Sequence, residues 1–107
     1  MSRESLGHFE LLVLLALMRH EDEAYGVPIA RAIEQSTGKR VVLASVYNTL
    51  ERLEEKGLVE STVGEPTAAR GGRAKRYFSI TPAGLREVRA AKKALTVLWR
   101  GIPVHEG

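Results

Sequence analysis

Arg70, Arg73, Lys75 and Arg76 place four positive charges within seven residues, with no acid among them. Gly71 and Gly72 lie inside this run, where a backbone without Cβ atoms can approach a phosphate closely. Upstream, Ser45, Tyr47, Asn48 and Arg52 bring a second set of polar groups together. Asparagine can pair bidentately with adenine, arginine with guanine or a phosphate, and serine or tyrosine hydroxyls with phosphate oxygens. Lys39 and Arg40 add two cations just ahead of that set. The chemistry these types support is recognition of a polyanion rather than bond making.

Charge distribution agrees. The net charge is only +3, but ten of the sixteen Lys and Arg residues cluster at 39–40, 70–76 and 86–93. Glu21, Asp22, Glu23, Glu51, Glu54 and Glu55 lie elsewhere, an asymmetry that suits one phosphate-facing surface. Double-stranded DNA is therefore the expected partner. The same surfaces would serve a protein-interaction module if the helix and hairpin met another protein.

Catalytic chemistry finds little support. There is no cysteine, which excludes disulfides, thiolate metal sites and cysteine nucleophiles. His8, His20 and His105 share no ligand spacing with one another or with a carboxylate pair, and no Gly-x-Ser-x-Gly turn is present. Gly71-Gly72 does not lie in a strand-to-helix phosphate loop. We expect no enzyme activity, no cofactor and no metal. The apolar run Leu11–Met18 is too short to cross a bilayer core of roughly 30 Å, and no cleavage-site pattern follows it, so a cytoplasmic protein is expected.

The elements that must position these residues are legible. Apolar residues lie on every face from Leu11 to Met18, predicting an enclosed first helix over about 6–19. A second helix is predicted over 25–36, with Pro28 tolerated in its first turn and Gly38 as its stop. A third is predicted over 45–56, with Val46, Leu50 and Leu53 on its buried face and Gly57 ending it. Strands follow at 58–63 and 75–80, joined by a long basic loop. Thr81-Pro82 then starts a last helix over 82–100, with threonine as N-cap and proline in the first turn. The expected fold is mainly α with a small antiparallel β-hairpin, a winged helix-turn-helix of order α-α-α-β-β-α. Residues 1–80 would be the DNA-binding domain and 81–107 a dimerisation helix and tail.

Along the last helix Val88, Ala91, Leu95, Leu98 and Ile102 alternate by three and four, and Leu85 and Trp99 widen the stripe. Such a seam is about two heptads long, too short to hold two chains alone. Leu11 and Leu14 of the first helix are the expected second contribution to a homodimer. Trp99 is the candidate lining of a small-molecule pocket between subunits.

The ordered set of motifs resembles the PadR family of winged helix-turn-helix transcriptional regulators. The similarity rests on Phe9–Leu17, on Ala24-Tyr25-Gly26-Val27-Pro28-Ile29, and on Ser45–Glu54 with Gly57-Leu58-Val59. It continues through Gly71–Phe78 and Ile80-Thr81-Pro82-Ala83-Gly84, covering about residues 6 to 100. The resemblance implies a homodimeric, mostly repressing regulator whose last helix dimerises and whose third helix enters the major groove. It implies Tyr47 on the phosphate backbone, and Arg73 and Lys75 on the wing. A small hydrophobic or phenolic effector near the dimer interface is implied as well, although one short final helix ending at Pro103 speaks against a large pocket.

Overall fold

The computed structural model describes residues 6–21, 24–64 and 75–103. In order they form α1 (His8–Arg19), α2 (Gly26–Thr37), α3 (Leu43–Glu55), β1 (Val59–Val63), β2 (Arg76–Ile80) and α4 (Pro82–Trp99). This is the expected order, mainly helical with one antiparallel hairpin. No helix among the described residues is long and apolar enough to cross a membrane.

The buried faces follow the sequence periodicity. Val46, Leu50 and Leu53 of α3 are fully buried, as are Val13 and Leu14 of α1 and Ile29 of α2. Leu17, Ile33, Val59 and Phe78 complete the centre of the core. The first helix is not enclosed on all sides. Leu15 is 41% exposed and Leu11, Leu12 and Met18 are half-buried, so one apolar side of α1 borders a shallow groove with Ala32 and Ile33 of α2.

Glycine stops hold both helix ends that matter for the reading head. Gly38 ends α2 in the left-handed region (φ 73°) and donates to the carbonyl of Glu34. Gly57 (φ 78°) ends α3: its N–H reaches Glu54, and that of Leu58 reaches Leu53, both at 2.9 Å. This paired closure satisfies two terminal carbonyls and buries Leu58 beside Leu53. The start of α3 departs from expectation. Val42 is the N-cap in extended backbone and its carbonyl accepts from Ser45 and Val46, so Leu43 and Ala44 form the first turn. Ser45 lies inside that turn rather than at its boundary.

The strands pair with Val59 opposite Ile80, Ser61 opposite Phe78 and Val63 opposite Arg76. One face of the hairpin thus carries Val59, Ser61, Val63, Arg76, Phe78 and Ile80, and only its base reaches the core. Strand β2 is also tied to the segment before α2, Phe78 N–H donating to the Ala24 carbonyl at 2.8 Å.

Helix α4 begins as Thr81-Pro82 predicted. Thr81 Oγ1 accepts from the Gly84 amide at 3.0 Å and donates to the Gly57 carbonyl at 2.7 Å, clipping the new helix to the end of α3. Gly84 and Val88 pack inward, whereas every residue from Lys92 to Pro103 is exposed. The second half of α4 therefore projects from the body. A radius of gyration of 15.7 Å and a long axis of 55 Å reflect that projection, since a compact chain of this size has a radius near 13 Å.

Candidate nucleic-acid interface

The turn between α2 and α3 is fixed from within. Glu34 near the end of α2 accepts the Val41 amide at 2.7 Å, and Thr37 Oγ1 accepts that of Lys39 at 3.2 Å. Lys39 and Arg40 are left exposed on the turn, immediately before the exposed first turn of α3 with Ser45. Asn48 is exposed one turn further along. The sequence-predicted residues Lys39, Arg40, Ser45 and Asn48 are thus all exposed around the start of α3, with Val41 half-buried and Val46 buried between them.

Tyr47 differs from these four. Its ring is half-buried and packs over the first residue of α2, where a Cβ on Gly26 would stand 2.5 Å from the Tyr47 hydroxyl oxygen. The hydroxyl is therefore held beside the N-terminus of α2, an end at which the helix dipole favours a bound anion such as a phosphate.

Arg52 is not the unencumbered contact its spacing suggested. Its guanidinium lies 3.6 Å from Glu10 and donates to Thr49 Oγ1 at 3.3 Å. Glu10 is buried near the start of α1 and also accepts from Lys56 Nζ at 2.9 Å and from the Gly7 amide at 2.9 Å. Burial works to raise the pKa of Glu10, but the Gly7 N–H, Lys56 and Arg52 together outweigh it and hold the carboxyl below its ordinary range. Arg52 is part of a charge cluster joining α1 to α3, with its exposed edge only turned outward.

The wing is held on both faces. Lys75 Nζ donates to the Tyr25 hydroxyl at 2.7 Å and lies 3.9 Å from that ring's centroid, while Tyr77 meets Tyr25 edge-on at 5.6 Å. Lys75 is half-buried rather than displayed. On the other face Arg76 pairs with Glu54, lies 3.9 Å from Glu51 and donates to Ser61 Oγ at 3.2 Å. The basic run contains no acid of its own, yet α3 supplies two acids to its last member. Neither Glu54 nor Ser61 was a candidate from sequence. The signal available was one of register, since Arg76 and Ser61 fall on the inward face of the hairpin. Arg70, Gly72 and Arg73 lie outside the described residues.

The predicted dimer surface divides in two. Leu14 is fully buried and Val88 nearly so, both packed in the protomer's own core, so neither can face a partner. Val88 matched the seam by helical position, but the first half of α4 uses its apolar side on the protomer itself, and Leu14 of α1 is buried in the same core. Leu11, Leu85 and Ala91 are half-buried along the boundary, while Leu95, Leu98, Trp99 and Ile102 are exposed, with Val97 beside them. The depression at Trp99 is lined by Leu95 and Thr96 of the same helix and by Arg100 that caps it, with no opposing wall among the described residues. The third basic cluster, with Arg86, Arg89, Lys92 and Lys93, is exposed on α4 and away from α3. No group of three or more His, Cys, Asp or Glu among the described residues could hold a metal ion.

A helix-turn-helix whose second helix is followed at once by a clamped hairpin and a projecting helix defines a winged helix-turn-helix regulator. Residues 14–90 match the family model of the "Transcriptional regulator PadR-like family", and the chain belongs to that family. Among solved structures, it is similar to a PadR family transcriptional regulator from Eggerthella lenta DSM 2243. That match has 27% identity and a TM-score of 0.67, over 84% of this chain and 76% of the other. A structure described as a complex of hsRosR-S4 matches at 25% identity and a TM-score of 0.68, over 91% of this chain and 76% of that one. A PadR-like transcription factor from Bacteroides fragilis shares the fold at 23% identity, with a TM-score of 0.70 over 84% and 82% of the two chains. No curated protein gives a significant match.

Proposed function

We propose that this PadR-like regulator binds specific double-stranded DNA as a homodimer and represses transcription from a pseudo-palindromic operator. One observation carries the reading: exposed Lys39, Arg40, Ser45 and Asn48 lead into the N-terminal turns of α3, the part of a recognition helix that meets base edges. In this reading Asn48 contacts a base, Tyr47 meets a phosphate beside the α2 N-terminus, and Arg70, Gly72, Arg73 and Lys75 serve the backbone flanking the groove. Lys75 reaches a phosphate from its seat on Tyr25, and Arg52 supports α3 rather than reading a base.

The second copy is supported by the exposed end of α4. Trp99 and Leu98 are 60% and 71% exposed, with Leu95, Val97 and Ile102 around them, a patch that suits an apolar partner. Two such protomers would present two reading heads to half-sites one helical turn apart. Residues 1–80 with the first half of α4 would form the DNA-binding unit, and the remainder the dimerisation arm. A small hydrophobic or phenolic effector fits only as a ligand enclosed between two copies at Trp99, because one protomer supplies a single wall. No reaction, cofactor or membrane contact belongs to this reading, and the cytoplasm is the setting it implies.

Selection of bound sequences from random DNA, followed by anisotropy titration of the selected site at two salt concentrations, tests it. Affinity should fall steeply with salt as cation contacts release counterions, and Asn48→Ala should alter discrimination at particular bases. A salt-independent affinity, or selection that returns no sequence preference, would sink the reading.

A further inference from the structure

Where the hairpin leaves the core, charge replaces apolar packing. Moving outward along its inner face, Val59 opposite Ile80 and then Phe78 rest on the body, but Val63 is 71% exposed. A two-stranded hairpin without a face to bury is only marginally ordered. Arg76 stands opposite Val63, at the step where apolar support ends. Its guanidinium lies 5.0 Å from the Phe78 ring centroid and joins Glu54, Glu51 and the Ser61 hydroxyl, which itself donates to Glu54 at 2.8 Å. Four side chains from α3, β1 and β2 thus close one network. Glu54 follows Asn48 on the same helix by less than two turns, so the network ties the wing directly to the element that carries the reading surface.

We propose that Arg76 is a positioning residue for DNA binding: through Glu54 it sets the wing at a fixed distance and angle from α3, so that groove and flanking backbone are met together. The inference rests on the reading that α3 and the wing bind DNA. It assigns Arg76 a role opposite to that of a wing cation reaching a phosphate. A phosphate-seeking arginine would have to leave two acids and a hydroxyl, and α3 would then face the DNA with Glu51 and Glu54 uncompensated.

The two roles predict opposite signs for one substitution. Glu54→Gln removes a negative charge near DNA, so through-space electrostatics alone would tighten binding. Loss of the clamp would instead weaken it by about tenfold, the equivalent of one charged hydrogen bond. Anisotropy titrations of the selected operator against salt, with wild type, Glu54→Gln, Arg76→Gln and the double variant, provide the comparison. Both single variants should weaken binding, the double variant should be no worse than either, and Arg76→Gln should leave the salt slope unchanged. Circular dichroism should show all four folded. Tighter binding by Glu54→Gln, or a salt slope reduced by about one contact in Arg76→Gln, would overturn the proposal. So would full affinity in both single variants, which would leave the network a support of the fold alone. Hydrogen exchange on the free protein gives an arm independent of DNA. The β1–β2 amides should lose protection in Glu54→Gln while the α1 and α2 amides keep theirs, and unchanged hairpin protection overturns the clamp. If wild type itself bound no DNA, the DNA reading and the positioning role would fail together, whereas the exchange result would still decide whether the clamp exists.

Discussion

Tyr47 lies against the backbone of Gly26, leaving no room for any side chain at that position. The first residue of α2 and a residue early in α3 are thereby locked together at the helix-turn-helix crossing. Gly26→Ala should force the ring aside at a cost of about 1–3 kcal/mol, as overpacking a tight contact does. Tyr47→Phe keeps the ring in place and removes only the hydroxyl. It should leave the unfolding midpoint nearly unchanged and lower operator affinity by about tenfold, whereas Gly26→Ala should lower both. Thermal unfolding and anisotropy on the same samples check this, and a Gly26→Ala variant with wild-type stability would contradict the packing.

Acid should loosen the joint between α1 and α3. Glu10 has a pKa held below the ordinary glutamate value, so its ionised form favours the folded state. That contribution is complete above the unfolded value, about pH 4.3, and is lost as pH falls through the lower folded value. Glu10→Gln keeps an acceptor for the Gly7 amide but gives up the ion pair with Lys56. At pH 7 it should cost about 1–2 kcal/mol, a range set by the partial exposure of Lys56. Urea unfolding of both proteins down a pH series should show the gap closing only in that acidic window. A gap of constant size across the series would remove Glu10 from the account.

Much of this was legible in the sequence because it depended on local pattern. The periodicity of Val46, Leu50 and Leu53, the glycines at 38 and 57 and the Thr81-Pro82 start each act within one helical turn, and each is realised. What depended on tertiary neighbours was not legible. Arg52 and Arg76 have the composition of phosphate contacts, but Glu10 and Glu54 reach them from elsewhere in the chain. Val88 satisfies a dimer seam by spacing and Leu14 lies in an all-round apolar helix, yet neither pattern can tell a protomer's own core from a partner's surface. The start of α3 moved two residues upstream because the Val42 carbonyl, not the Ser45 side chain, organises its first turn.

Gly84 decides how α4 attaches. Within a helix a glycine normally costs about 1 kcal/mol relative to alanine, so Gly84→Ala would ordinarily stabilise. Here a Cβ would run into the Leu58 carbonyl and stand 2.7 Å from Ile80 Cγ1, while the Thr81 cap holds the helix start in place. The sign should reverse. Gly84→Ala should destabilise by more than Thr81→Ala, whose lost cap is worth about 1 kcal/mol. Chemical denaturation of the two variants settles the order, and a stabilised Gly84→Ala would mean that α4 can shift away from the β1 corner freely.

The exposed end of α4 should behave as an interface. Leu98 and Trp99 touch none of the buried core, so Leu98→Asp combined with Trp99→Ala should leave the protomer folded. If two copies bury these side chains against each other, each buried tryptophan contributes on the order of 2 kcal/mol or more, and a symmetric interface loses it twice. The dimer dissociation constant should then rise by a factor of about 10³, from twofold loss of that contribution. Size-exclusion with light scattering at micromolar concentration should give wild type at twice the 11.8 kDa chain mass and the double variant as a monomer. Operator affinity should fall in the variant even though Asn48 and the wing are untouched, because one reading head must then bind without its neighbour. A wild-type monomer, or a double variant that remains dimeric, would mean that the apolar end of α4 is not what joins two chains.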